Sequence, residues 1–225
     1  EKVGSCENSL MTVFSFHPVK AIAAGEGGMI TTNDESIYRK LIRLRGHGIN
    51  KLDDPFLEKD QAFTGDATNP WYYEMQEIGY NYRLTDIQCA LGISQFQKLG
   101  KFMSRRRAIV KNYDIAFSEM SHCRPAQLCD KDFSGNHLYV IRIDFNSAGI
   151  NRASLMKELK QRGIGTQVHY IPVPSHPFYR QKGFKPEDYP NALHFYEEAL
   201  SIPLYYDLTD HEQDQVISAI KDLIH

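Results

Sequence analysis

Two short apolar runs, "LMTVFSF" (10–16) and "GGMITTN" (27–33), flank a turn that carries Gly25, Gly27 and Gly28, and each is short enough to predict a buried strand. After Asn33 the period changes. In "DESIYRKLIRLR" (34–45) Ile37, Leu41 and Leu44 recur at helical spacing, with Asn33 placed as N-cap and Gly46 as the stop. From His47 to Gln76, through Pro55, Gly65 and Pro70, no period holds, which predicts a long irregular loop. Loops above about 15 residues are uncommon in compact domains and are often functional or poorly ordered. A capping box, Thr85-x-x-Gln88, then opens the longest predicted helix, along which Ile87, Leu91, Phe96, Leu99 and Phe102 run, with a bend expected near Gly100. Beyond it come a strand "HLYVIRIDF" (137–145), a helix from Asn151 to Arg162 closed by Gly163, and an extended piece "GTQVHY" (165–170). A second capping box, Thr209-x-x-Glu212, starts a last helix striped by Val216, Ile220 and Leu223. The second half thus alternates strand and helix, so an α/β domain is expected over 116–225, after a boundary near residue 115.

Composition narrows the class. With 225 residues, 42% of them hydrophobic and 24% charged, the chain can bury a core as one large or two small folded domains. Lysine and arginine number 26 against 28 acidic residues, for a net charge of -2, without the basic excess that a phosphate backbone demands. Nucleic acid is therefore not an expected partner. Nor is a membrane, since no stretch approaches the ~20 apolar residues of a spanning helix. Cys6, Cys89, Cys123 and Cys129 form no CxxC pair and no secreted-type array, which fits a reduced cytoplasm. The chain opens on Glu1 and its first methionine is Met11, the pattern expected of a processed chain or of a piece of something longer.

Lys20 is the residue whose setting calls for chemistry. A lone lysine after a strand is ordinarily a solvated surface group, because lysine is rarely buried unless paired. Placed between a buried strand and a glycine-rich turn, however, its amine can be desolvated and kept neutral, as Schiff-base formation requires. Ser15, five residues earlier, offers a hydroxyl suited to a phosphate oxygen. A metal site built from His169 and His176 has no recognised ligand spacing behind it.

"FSFHPVKAIAAGEGGMITTND" (14–34) resembles the segment around the Schiff-base lysine of the pyridoxal-phosphate-dependent sugar aminotransferases of the DegT/DnrJ/EryC1/StrS family. Further matches follow in the family's order: "LRGHGI" (44–49), "GYNYRLTDIQCALGISQ" (79–95), "GIGTQVHYIPV" (163–173) and "ALSIPLYYDLT" (199–209). The forms around Lys20, His169 and Ser201 look closest to the subgroup that aminates UDP-4-keto-6-deoxy-N-acetyl-hexosamine sugars toward pseudaminic acid.

The resemblance implies the C-terminal part of a fold-type I pyridoxal-phosphate (PLP) transferase: a remnant of the large domain with the interdomain helix over 1–115, then the small α/β domain. It implies that Lys20 holds the cofactor and moves the proton between Cα of the amino donor, glutamate, and C4′ of the cofactor. Ser15 would bind the cofactor phosphate. Asn81 would reach the phosphate in the neighbouring subunit's site, which makes a homodimer the expected assembly. Arg83 would orient that loop or meet an anionic group of the substrate. His169 and Tyr170 match positions that face the sugar nucleotide, beside the plainer reading of a strand-end histidine and a packed tyrosine; His17 and His47 are read as structural. The family's pyridinium carboxylate lies upstream of its lysine, whereas only Glu1 and Glu7 precede Lys20 here. A fragment unable to complete turnover alone is therefore expected, with Met11, Val13 and Phe14 left for a partner or a second copy. The alternatives are a non-catalytic self-associating module, and a dehydratase-like relative in which histidine replaces the lysine, against which Lys20 itself argues.

Overall fold

Strands β1 (Thr12–Ser15) and β2 (Gly28–Thr31) pair antiparallel, with Ser15 opposite Gly28 and Thr12 opposite Thr31. The computed structural model describes residues 2–51, 54–126 and 134–224, and Cys129 lies outside these. It divides into two compact units, Glu1–Gln97 and Lys98–His225.

In the first unit the two strands are not buried as expected. Val13 is 70% exposed and its cross-strand partner Ile30 43%, while Met29 on the other face is 47% exposed, because the two strands pair only with each other among the described residues. Helix α1 (Glu35–Arg45) is capped by Asp34, whose carboxylate accepts the N–H of Ser36 (2.8 Å) and of Ile37 (3.0 Å). The cap is thus one residue later than expected, since Asn33 instead donates its amide to the Ser5 carbonyl.

The stretch expected to be an irregular loop is folded. It holds β3 (Ile49–Asn50), the one-turn helix α2 (Lys59–Ala62), β4 (Phe63–Thr64), β5 (Ala67–Thr68) and β6 (Glu74–Met75), with β3 paired to β6 and β4 to β5. Its organiser is polar, which is why no hydrophobic period announced it. The Glu74 carboxylate accepts from the backbone of Leu57 (2.6 Å) and Glu58 (3.2 Å), from the Tyr72 hydroxyl (2.8 Å) and from the Gln76 amide (2.6 Å). Phe56 is buried beside it, edge-on to Tyr72 and Phe63.

The long helix is two helices, α3 (Asp86–Gln97) and α4 (Leu99–Ser118), separated at Lys98 rather than bent at Gly100. Helix α4 contributes Ile109, Val110, Tyr113 and Phe117 to the core of the second unit. That burial puts the division of the chain at Gln97 and Lys98, ahead of the boundary near 115.

The second unit is built on an antiparallel sheet, β7 (Cys123–Pro125), β8 (Tyr139–Ile143) and β9 (Ala199–Ile202), in the order β7-β8-β9. Along β8 Tyr139, Ile141 and Ile143 are buried, with period two, as a strand covered on one face should show. Helices α5 (Arg152–Gln161), capped by Asn151, and α8 (Asp210–Leu223), opened by the Thr209/Glu212 box, bring Leu155, Leu159, Val216 and Ile220 to the same core. Between them lie the short α6 (Pro177–Gln181) and α7 (Pro190–Glu198). The segment 165–170 pairs only at Gln167, bridged to Ser201. No helix among the described residues is long and apolar enough to cross a membrane.

Candidate active site

Residues 16–27 form a closed loop between β1 and β2. The Phe16 N–H donates to Gly27 (2.8 Å) and the Ala24 N–H donates back to Phe16 (2.9 Å), which fixes its base. Lys20 lies half-buried on this loop, its N–H turned onto the His17 carbonyl at 2.9 Å. The His17 N–H reaches the Ser15 hydroxyl at 3.4 Å, and His17 Nδ1 accepts from Val19. Ser15, at the end of β1, and Lys20, on the loop, are thus linked through the backbone of His17. On the return side Gly27 sits at φ +133°, which favours glycine, and a β-carbon there would lie 2.4 Å from Leu84 Cδ2, so the Leu84 side chain would have to shift.

Asn81 and Arg83 belong to a second segment of the same unit, exposed and bound edge-on to the end of α1. The Tyr80 N–H donates to Leu44 (2.7 Å), the His47 N–H to Tyr80 (2.8 Å) and the Tyr82 N–H to Arg45 (3.0 Å), while Asn81 bridges Gly46. Arg43 locks the pairing through Glu77 Oε1 (2.5 Å) and a further ion pair to Asp54, both of which raise its pKa above the ordinary guanidinium value. Leu84 and Gln88 join this segment to the Lys20 loop.

His169 and Tyr170 sit in the second unit. Tyr170 is exposed, and the two rings meet edge-on at 4.6 Å. His169 Nδ1 bonds the buried Ser201 hydroxyl at 2.7 Å, a strand-end partner that fixes the ring. No sequence pattern points to Ser201 in that role, nor to Leu84 and Gln88 as contacts of the lysine loop. Among the described residues no group of three or more histidine, cysteine, aspartate or glutamate side chains is placed to hold a metal ion.

Lys20 thus lies on the loop between β1 and β2, Ser15 at the end of β1 beside it, and Gly27 and Gly28 on the return side. The sequence profile of the DegT/DnrJ/EryC1/StrS aminotransferase family matches residues 1–221. The chain belongs to that family. Among its relatives, the DegT/DnrJ/EryC1/StrS chain is 38% identical over 216 residues to the spore coat polysaccharide biosynthesis protein SpsC of Bacillus subtilis (strain 168), covering 95% of this chain and 53% of SpsC. PseC of Helicobacter pylori, an aminotransferase involved in the biosynthesis of pseudoaminic acid, superposes with a TM-score of 0.83 at 30% identity, over 96% of this chain and 53% of PseC. Spr1654 of Streptococcus pneumoniae, solved in PLP and PMP forms, is also 30% identical; its PLP form gives a TM-score of 0.80 over 97% of this chain and 53% of its own. The expected fold class, α/β and part of a fold-type I PLP-dependent transferase, is met. The chain spans about half the length of the relatives it matches.

Proposed function

We propose that this chain carries the lysine-bearing part of a PLP-dependent aminotransferase that moves an amino group, with glutamate as donor, to a 4-keto-6-deoxy sugar nucleotide. The observation that carries the reading is the closed loop holding Ser15 and Lys20 against a glycine return, in a chain of this family. The residues present fit the cofactor: Lys20 supplies an amine for its aldehyde and Ser15 a hydroxyl for its phosphate. Bound there, pyridoxal phosphate supplies an electron sink for the carbanion left when the donor loses its Cα proton. Lys20 would be the group that takes this proton and returns it on the cofactor side. Asn81, exposed on its segment, reaches the phosphate in a neighbouring copy, so the working form is a homodimer. Arg83 meets an anionic group of the substrate or holds the Asn81 segment, and His169, oriented by Ser201, faces the sugar nucleotide together with Tyr170. Likeness to PseC supports a hexosamine nucleotide of the pseudaminic acid type as substrate. Free thiols at Cys6, Cys89 and Cys123 fit a cytoplasmic setting.

The resemblance places the carboxylate that would face the pyridinium nitrogen upstream of the lysine, where this chain has only Glu1 and Glu7. The 225-residue chain should therefore capture the cofactor without completing turnover. The test is visible absorption retained with the protein after free pyridoxal phosphate is removed. Wild type should keep it and Lys20→Ala lose it; equal spectra would remove Lys20 from its role. Amination of a 4-keto sugar nucleotide by this chain alone, with glutamate, would show the span to be sufficient. A non-catalytic self-associating module is the second reading, favoured by the exposure of Val13 and Met29, and it expects no cofactor retained by either variant.

A further inference from the structure

Gln88 opens α3 as the fourth residue of its capping box, and its side chain does more than cap. Its Oε1 accepts from the Thr85 N–H (3.1 Å) and the Thr85 hydroxyl (3.1 Å), while its own N–H returns to Thr85 Oγ1 (3.3 Å). The other half of the amide, Nε2, donates to the carbonyl of Glu26 at 3.1 Å, on the return side of the loop that bears Lys20. The orientation of the amide follows from its partners, since a carbonyl can only accept and a backbone N–H can only donate.

Glu26 is well placed to pass that restraint on. Its carboxylate lies 3.8 Å from His17 Nε2, the His17 carbonyl holds the Lys20 N–H, and the His17 N–H meets the Ser15 hydroxyl. Beside it, Leu84 fills the space that a side chain at Gly27 would need. Four residues before Gln88 the same segment leads back through Leu84 and Arg83 to Asn81. One amide thus ties the stretch assigned to the cofactor within the subunit to the stretch assigned to the neighbouring site.

We infer that Gln88 is a positioning residue: its Nε2–Glu26 bond sets the Lys20 loop for cofactor capture, separately from its capping of α3. The inference rests on the reading of Lys20 as the cofactor lysine. Glutamate at 88 separates the two jobs, because a carboxylate keeps the acceptor that the capping box needs and loses the donor that reaches Glu26.

The experiment compares the 225-residue wild type, Gln88→Glu and Lys20→Ala for helicity by circular dichroism, for retention of pyridoxal phosphate across a concentration series, and for hydrogen exchange at the Phe16 and Ala24 amides. The expected result for Gln88→Glu is unchanged helicity, roughly tenfold weaker retention, the scale of one net hydrogen bond, and faster exchange at both amides. A capping role alone predicts wild-type retention and wild-type exchange in Gln88→Glu, and that result overturns the inference. If wild type retains no more cofactor than Lys20→Ala, the reading of Lys20 fails. The exchange comparison then decides the tether by itself: unchanged exchange removes it, and faster exchange keeps it as a restraint on the loop.

Discussion

Gly79 packs directly on the backbone of Gly48: a β-carbon at 79 would lie 2.1 Å from the Gly48 nitrogen. The contact is reciprocal in its effect, since a β-carbon at Gly48, whose φ is +74°, would lie 1.7 Å from the Glu77 carbonyl oxygen. Backbone cannot step aside as the end of a side chain can. Gly48→Ala and Gly79→Ala should each cost on the order of 3 kcal/mol or more, by strain and by loss of the pairing that carries Asn81. Gly100→Ala is the control, because nothing lies within 4 Å of a β-carbon there and α4 should gain up to about 1 kcal/mol. Urea titrations of the three variants, followed by circular dichroism and by Trp71 fluorescence, check both signs.

Glu74 makes the first unit sensitive to acid. Partial burial acts to raise its pKa, but the donors from Gln76, Leu57, Glu58 and Tyr72 outweigh that and bring it down to about 2. A carboxylate with a depressed folded pKa stabilises above its unfolded value, about 4.3, and loses that contribution as pH falls from there toward 2. The midpoint of urea unfolding should therefore drop between pH 5 and pH 3, and Glu74→Gln should flatten the dependence. Tyr72 adds an alkaline limit: partial burial and its bond to Glu74 push it up to about 12, so its contribution fades as pH rises from about 10 toward that value.

How much of this could be read from the chain follows from what holds each part. Helices α5 and α8 are legible because apolar spacing agrees with a cap, Asn151 with the closing Gly163 in one and the Thr209/Glu212 box in the other, and α1 is legible by spacing although its cap falls one residue later than expected. Lys20 and Ser15 stand out through a resemblance between motifs, and their role is what the cofactor-retention experiment tests. The segment 47–76 was not, since Glu74 organises it with hydrogen bonds that leave no period in the sequence. The exposure of Val13 was also illegible: an apolar run looks the same whether or not its covering layer lies in the same chain. Gln88 reads in the sequence as a cap and not as a tether, because its partner is a backbone carbonyl 62 residues away, and a carbonyl carries no sequence signal.

Arg106 is buried without a carboxylate partner among the described residues. Its Nη1 lies 3.1 Å from the Asn136 carbonyl and 3.2 Å from those of His137 and Leu204, and desolvation lowers its pKa. Removing the guanidinium would strand acceptors from two separate segments of the second unit. Arg106→Met should cost about 3 kcal/mol, and Arg106→Lys, which keeps a donor but not the planar reach, less. Equal stability of wild type and Arg106→Met in thermal unfolding would show that these bonds contribute nothing net.

The cysteines give each unit its own reporter. Burial pushes the Cys123 thiol up to about 12, so in the folded state it is both inaccessible and protonated, and iodoacetamide should leave it untouched at pH 7.5. Cys89 is exposed on α3 and should react at once. Cys6 is half-buried, and hydrogen bonds from Thr31 and then Thr12 lower its pKa, so it carries more thiolate than an ordinary cysteine while its neighbours restrict access. Peptide mapping after timed labelling should therefore show Cys89 modified first, Cys6 next and Cys123 only when the second unit opens. Arg106→Met should speed labelling of Cys123 and leave Cys6 unchanged, whereas Gly48→Ala should affect Cys6 and spare Cys123. Labelling of all three at one rate in wild type would mean that the two units do not protect their thiols separately.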